Sequence, residues 1–232
     1  MTNLFISAYP EKDQIRKAEL RTCLLNNLKS GVFDAVWIIA EEDGHELKYL
    51  PNVKPYTVNI LPCTTRPTFR TFFNAINNID DMLKKVVNSS IGKHEHGVNV
   101  GMLQIQPEEN VYIIANSDIY FESLPVLPKV NECFALCRYD IQKDGSAIFL
   151  NRNDAQDTWL FKGKIKIPQY CDFHMGTPGC DNRVNVELSR MGYEILNPSL
   201  TIKSYHLHSN PTNHIGKQKV NPPYLRLNPI LL

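Results

Sequence analysis

Three short stretches of this sequence hold side chains whose types and spacing can do chemistry. In the first, the apolar run Val111-Tyr112-Ile113-Ile114-Ala115 stops at Asn116-Ser117-Asp118 before Ile119-Tyr120-Phe121 resumes it. An Asp beyond the carboxyl end of a buried strand stands where open α/β sheets bind ligands, and it can hold a metal or a charged group. The same triplet is also ordinary strand-ending chemistry. In the second, the tight Gly/Pro loop from Asp172 to Asn182 leads into a helix expected from Arg183 to Met191, with Asp181 at its opening. An ionised carboxylate there, facing a bound hydroxyl, can act as a general base, although a lone Asp before a helix also serves as a plain N-cap. In the third, His206 and His208 fall on one face of a strand, because side chains alternate with a period of two. Carboxylate plus imidazole suits Mg²⁺ or Mn²⁺ that keeps positions open for phosphate oxygens and water. Such an ion neutralises charge on a leaving diphosphate.

The elements that must position these groups read as α/β. A first strand over residues 3–8 is followed by the break Ala8-Tyr9-Pro10-Glu11 and a helix from about Asp13 to Lys29, with Ile15, Ala18, Leu20, Leu24, Leu25 and Leu28 at helical spacing. Residues 35–40 form a second apolar strand, so the order predicts a parallel βαβ unit. A third strand covers residues 56–61 and is expected to stop at Pro62. A helix starting near Thr68, capped by Thr65 or Thr68, buries Phe69, Phe72, Phe73, Ile76, Ile79 and Leu83. Residues 88–110 turn polar and Gly-rich, a loop in which His94 and His96 read as solvated. Cys133 to Tyr139 is expected as one strand, Ile148 to Leu150 as a short one, and residues 193–196 and 201–208 as strands. The Pro- and Asn-rich tail from Asn210 wraps the surface.

Composition bounds the function classes. The chain has 232 residues, 43% of them hydrophobic and 21% charged, with a net charge of +1. That is an ordinary globular balance with no support for a nucleic-acid or membrane surface. No apolar run approaches the length of a membrane span and no basic start precedes a long apolar stretch, so a cytoplasmic protein is expected. Six scattered cysteines fit reduced thiols, with Cys133 and Cys137 as buried small hydrophobes.

Taken in order, Arg66 with Phe69, Phe73 and Asn77, then 116–121, 156–161, 176–182, Asn197-Pro198-Ser199 and 206–209 resemble GT-A-fold glycosyltransferases of the small kind found in bacteria, plants and large algal viruses. The resemblance runs from about Arg66 to Tyr224. It implies one GT-A domain over 1–232, with a Rossmann-like, mostly parallel mixed sheet flanked by helices. Residues 1–121 would bind the nucleotide sugar, and 122–232 the acceptor. It also implies an inverting, metal-assisted transfer from a nucleotide diphosphate sugar, with uridine as the base by analogy, to a hydroxyl of a glycan acceptor.

In that reading Asp118 and His206, with His208 as the alternative, hold Mn²⁺ or Mg²⁺. Asp181 is the base, and Asp157 is a second candidate. Ser7, Ala8 and Tyr9 pack on the nucleotide base, Arg66 pairs with phosphate, Asn77 and Asn116 hydrogen-bond the nucleotide beside Ser117, and Trp159 faces the sugar. Asn116 stands where the family motif often has its first Asp. Two alternatives remain: a sugar-phosphate nucleotidyltransferase, against which the absent Gly-rich basic loop after the first strand counts, and a non-catalytic carbohydrate-binding protein on the same fold.

Overall fold

The computed structural model describes residues 1–41, 57–91, 110–209 and 218–232. His94 and His96 lie outside the described residues. The chain runs β1 (Thr2–Ala8), α1 (Gln14–Lys29), β2 (Ala35–Glu41), β3 (Thr57–Cys63), α2 (Phe69–Ile91), β4 (Val111–Ala115), β5 (Ile119–Phe121), β6 (Glu132–Leu136), β7 (Arg138–Ile141), β8 (Ala147–Phe149), β9 (Thr158–Lys162), α3 (Cys180–Arg190), β10 (Glu194–Leu196) and β11 (Ser204–His206). Seven strands form the central sheet in the order β10-β6-β9-β4-β1-β2-β3, and β5-β11-β7-β8 form a second sheet. In the central sheet only β9 runs antiparallel to its neighbours. This is a Rossmann-like α/β fold with a mostly parallel sheet flanked by helices. None of the described helices is long and apolar enough to cross a membrane.

The two faces of the central sheet account for the helices. Alternation sends Phe5, Trp37, Tyr112, Ile114, Trp159 and Phe161 to one face, where Phe69, Phe72, Phe73 and Ile76 of α2 and Val184 and Leu188 of α3 cover them. Leu4, Ile6, Val36, Ile38 and Ile113 point to the other face, against Leu24 and Leu28 of α1 and Ile119 and Phe121 of β5. Asp13 caps α1 by accepting from the amides of Ile15 and Arg16 at 2.8 and 3.1 Å. Thr68 and Thr71 cap α2 reciprocally, each amide donating to the other's hydroxyl. The buried Asn27 of α1 donates to the Ile119 carbonyl and accepts from the Phe121 amide, which ties α1 to β5.

Several boundaries differ from expectation for physical reasons. β3 continues through Pro62 to Cys63; among the described residues it is an edge strand paired with β2, and edge strands tolerate the missing amide of a proline. Residues 133–139 are not one strand. The chain leaves the central sheet at Cys137, whose amide is held by the Ser199 hydroxyl at 2.8 Å, and continues as β7 in the second sheet. α3 begins at Cys180, earlier than Arg183, with Gly179 at a left-handed φ of 79° as its cap. β11 ends at His206, so His208 lies past its end. The six cysteines are free thiols, five of them buried. Residues 218–232 wrap the surface as expected: Val220, Leu225, Leu227 and Ile230 donate backbone hydrogen bonds to Pro178, Asn182, Asn153 and Asn197.

Candidate functional site

The chain's first change of sheet positions the first acid. The chain passes from β4 into β5 through a turn closed by the Ile119 amide on the Asn116 carbonyl, and Asp118 sits in that turn, almost buried. β11 lies between β5 and β7, and its residue His206 pairs in register with Ile119 on one side and Asp140 on the other. Sheet geometry therefore delivers His206 beside Asp118. Nε2 of His206 is 3.1 Å from Oδ2 of Asp118, and Nδ1 of His208 is 3.9 Å from the same oxygen. One ligand atom from each of the three residues lies within 4.8 Å of the others.

Arg16 of α1 completes the group. Its guanidinium pairs with Asp118 Oδ2, and donates to Glu19 and to the Leu207 carbonyl, each at 3.1 Å. Glu19 in turn accepts from the amide of Ser209 at 2.7 Å. Sequence reasoning missed Arg16, because its position on the helix surface carries no sign of a partner 102 residues away.

Electrostatics within the cluster is strong. Burial pushes the Asp118 carboxyl up, but His206 and Arg16 outweigh it and hold the group well below the usual carboxylate range. Burial lowers His206, and its bond to Asp118 more than offsets this, so its pKa is raised. His208 is lowered, by burial and then by Arg16.

The residues fit a divalent cation. Oδ1 of Asp118 is a buried carboxylate oxygen with no hydrogen-bond partner, a costly state that a bound ion relieves. Two imidazoles beside one carboxylate favour Mn²⁺ over the harder Mg²⁺, which prefers an all-oxygen shell.

A hydrogen-bonded line joins this cluster to the other acids. Because β9 is antiparallel, its start lies beside the end of β4, with Thr158 in register with Ala115. Asp157 thus meets Asn116: its Oδ1 accepts from the Asn116 carboxamide at 2.6 Å and its carbonyl accepts from the Asn116 amide at 3.0 Å. Oδ2 of Asp157 accepts from Arg138 at 3.1 Å. Asp181 in the first turn of α3 accepts from the backbone amide of Gln156 at 3.2 Å, one residue from Asp157. Ser117 donates to the carbonyl of Ser7, so the turn is also fixed to the end of β1. Tyr9, after Ala8, is exposed and interacts with Arg16. The structure brings Asp118, His206, His208, Asn116, Ser117, Asp157, Asp181 and Ser7 into one connected region.

Three other expected residues serve elsewhere. The carboxamide of Asn77 is used at both ends on the backbone of Ile165, at 2.9 and 2.8 Å, so it braces α2 and is corrected from nucleotide contact to structure. Trp159 is 1% exposed, packs edge-on to Phe69 and donates its indole N–H to Asn185 at 2.9 Å. It is a core aromatic and not a sugar platform. Arg66, exposed, donates to the carbonyl of Met175, which ties it to the loop before α3. A cleft of about 440 Å³ between β3 and α2, lined by Ile39, Leu61, Thr71, Asn74 and Asn78 among others, contains none of the cluster residues.

Asp181 differs from Asp118 in making no salt bridge among the described residues. Burial raises its pKa from 3.8 to about 6. The folded state therefore binds this proton more tightly than the unfolded chain, and stability falls as pH rises through the window from about 4 to about 6. Asp181→Asn removes that penalty, at the cost of one hydrogen bond to Gln156 or Asn182. The variant is expected to gain ~1–2 kcal/mol relative to wild type on going from pH 4 to pH 7.5. Urea unfolding at the two pH values measures this, and a difference that does not grow with pH would contradict it.

Among known proteins, no family model matches this chain and no curated protein matches it. Solved structures give a likeness of fold. HddC from Yersinia pseudotuberculosis is 11% identical over 70% of this chain and 77% of that chain, with a TM-score of 0.35. The 4-diphosphocytidyl-2C-methyl-D-erythritol synthase from Anaerococcus prevotii is 9% identical over 93% of each chain, with a TM-score of 0.38. Neither is named a glycosyltransferase. The inverting glycosyltransferase expected from the ordered motifs is corrected accordingly. What stands is the Rossmann-like α/β fold with its mostly parallel sheet.

Proposed function

We propose that this chain is a divalent-metal-dependent nucleotidyltransferase that joins a nucleoside monophosphate unit to a phosphorylated sugar or sugar alcohol. One observation carries the reading: the donor set Asp118, His206 and His208, with the unpartnered Oδ1 of Asp118, stands past the carboxyl end of β4 in a Rossmann-like sheet. A cation held by these three residues supplies charge neutralisation to phosphate oxygens. In the reaction an oxygen of the acceptor phosphate attacks the α-phosphorus of a nucleoside triphosphate. The bond to the bridging oxygen then breaks, and pyrophosphate leaves with the electron pair.

The remaining roles fall to the chain's own residues. Asp13 already occupies the first amides of α1, so that helix end is closed to an anion, and the guanidinium of Arg16 takes the place of the absent Gly-rich basic loop. Ser7 and Tyr9 line the nucleotide side. A phosphate monoester loses its second proton near pH 6, which matches the raised carboxyl of Asp181, so Asp181 takes that proton and leaves a dianionic nucleophile. Asp157, tied to Arg138 and Asn116, orients the acceptor side. In this proposal residues 1–121 serve the nucleotide and 122–232 the acceptor.

The test supplies each of the four nucleoside triphosphates with Mn²⁺ or Mg²⁺ and a panel of sugar phosphates, and reads pyrophosphate together with the phosphorus spectrum of the product. Pyrophosphate release that requires both cation and phosphosugar, and runs faster with Mn²⁺, is expected. No pyrophosphate from any triphosphate, with nucleoside diphosphate released from preformed nucleotide sugars instead, would overturn it. A lack of any metal-dependent nucleotide binding would leave only a non-catalytic binding protein.

A further inference from the structure

The sheet that delivers His206 to Asp118 also places a second acid against the far side of its ring. We infer that Asp140 is a positioning residue for the metal site: through its contact with Nδ1 it holds the His206 imidazole so that Nε2 faces the space shared with Asp118 and His208. The inference rests on the metal reading proposed above and deepens it.

The geometry begins with register. β7 and β11 are parallel, and Asp140 is the direct lateral neighbour of His206. Oδ1 of Asp140 lies 2.7 Å from Nδ1 of the ring. A carboxylate can only accept, so the nitrogen facing it must carry a proton. In a neutral imidazole that leaves the lone pair on Nε2, the atom 3.1 Å from Oδ2 of Asp118. That atom and Oδ2 of Asp118, which already accepts from Arg16, face one space in which a cation can take the place of a ring proton. Asp140 therefore holds the ring in the tautomer and orientation that a cation requires, with a ligand atom of His208 alongside.

Asp140 is itself held. Nε of Arg138, two residues earlier on the same face of β7, donates to Oδ1 of Asp140 at 2.8 Å, and the other arm of the guanidinium reaches Oδ2 of Asp157 at 3.1 Å. Arg138 links the ring-orienting acid to the acid that braces Asn116. The unpartnered Oδ1 of Asp118 points independently to the same missing charge. Outer carboxylates of this kind fix the ligand histidine, and their loss weakens metal binding by roughly 10–100-fold.

A structural role and a positioning role separate in the test. The Asp140 side chain is about one-third exposed, so its removal is a small perturbation of the fold. Titration of the full-length protein with Mn²⁺, followed by the paramagnetic signal of the free ion, is carried out on wild type, Asp140→Asn, Asp140→Ala and the turn control Asp144→Ala. The expected order of affinity is wild type, then Asp140→Asn, whose carboxamide oxygen still accepts from Nδ1, then Asp140→Ala, weaker by roughly 10–100-fold. Asp144→Ala binds as wild type does. Nitrogen-15 spectra of the histidine rings, with Zn²⁺ as a diamagnetic probe, should show His206 as the Nδ1–H tautomer in wild type and a mixture in Asp140→Ala. A melting temperature lowered without metal, with unchanged Mn²⁺ affinity, would show a structural role alone and overturn the inference. Mn²⁺ binding absent from wild type would overturn the metal reading itself, a result distinct from equal binding by wild type and Asp140→Ala.

Discussion

Asp118→Asn is expected to weaken Mn²⁺ binding by more than the roughly 100-fold that marks the upper end for loss of an outer partner, and to remove metal-dependent nucleotide turnover with it. The carboxylate is the one charged ligand of the set and the common partner of Arg16, His206 and His208. An asparagine keeps the size and one acceptor but loses the charge that holds two imidazoles and a cation in one place. The same change leaves the mostly buried Arg16 with Glu19, the Leu207 carbonyl and Tyr9 as partners, which costs about 3 kcal/mol or less. Calorimetric Mn²⁺ titration below the melting point, with circular dichroism to verify folding, separates the two effects. A folded variant that binds Mn²⁺ as wild type does would remove Asp118 from the metal site.

Trp159→Ala is expected to produce the largest loss of stability of any substitution considered, about 4–5 kcal/mol, which for a chain of this size lowers the melting temperature by roughly 10–15 °C. The indole fills the face of the central sheet between Phe69 and the α3 side, and its N–H satisfies Asn185, which itself donates to Gln156. Truncation opens a cavity and frees a buried acceptor in one step. Trp159→Phe refills much of the volume, loses the hydrogen bond alone, and should keep the nucleotide affinity of wild type. Loss of affinity in this milder variant at unchanged stability would return Trp159 to the binding surface.

These two residues show what the sequence can and cannot disclose. The βαβ start was legible because residues 3–8 and 35–40 are short, largely apolar runs and the segment between them carries apolar residues at helical spacing. The phenylalanines of α2 were equally plain. His206 and His208 were expected together from strand alternation; the structure puts both beside Asp118, although the strand ends at His206 and His208 lies beyond it.

Sheet membership was not legible. An apolar run across 133–139 does not reveal that Cys137 is the point of transfer from one sheet to the other, and without that transfer Asp140 has no path to His206. Arg16 escaped notice for the same reason, since a helical arginine does not announce a partner across the fold. Motif order also misassigned Trp159 and Asn77, because residues adjacent in sequence to a site can be turned inward to build the core that supports it.

Helix α1 grips three things along its length: Asp118 through Arg16, the segment after β11 through Glu19, and β5 through Asn27. A single rigid rod thus serves as the common reference for both sheets at the place where they meet. Acid and imidazoles therefore take their spacing from one shared element instead of from two layers separately.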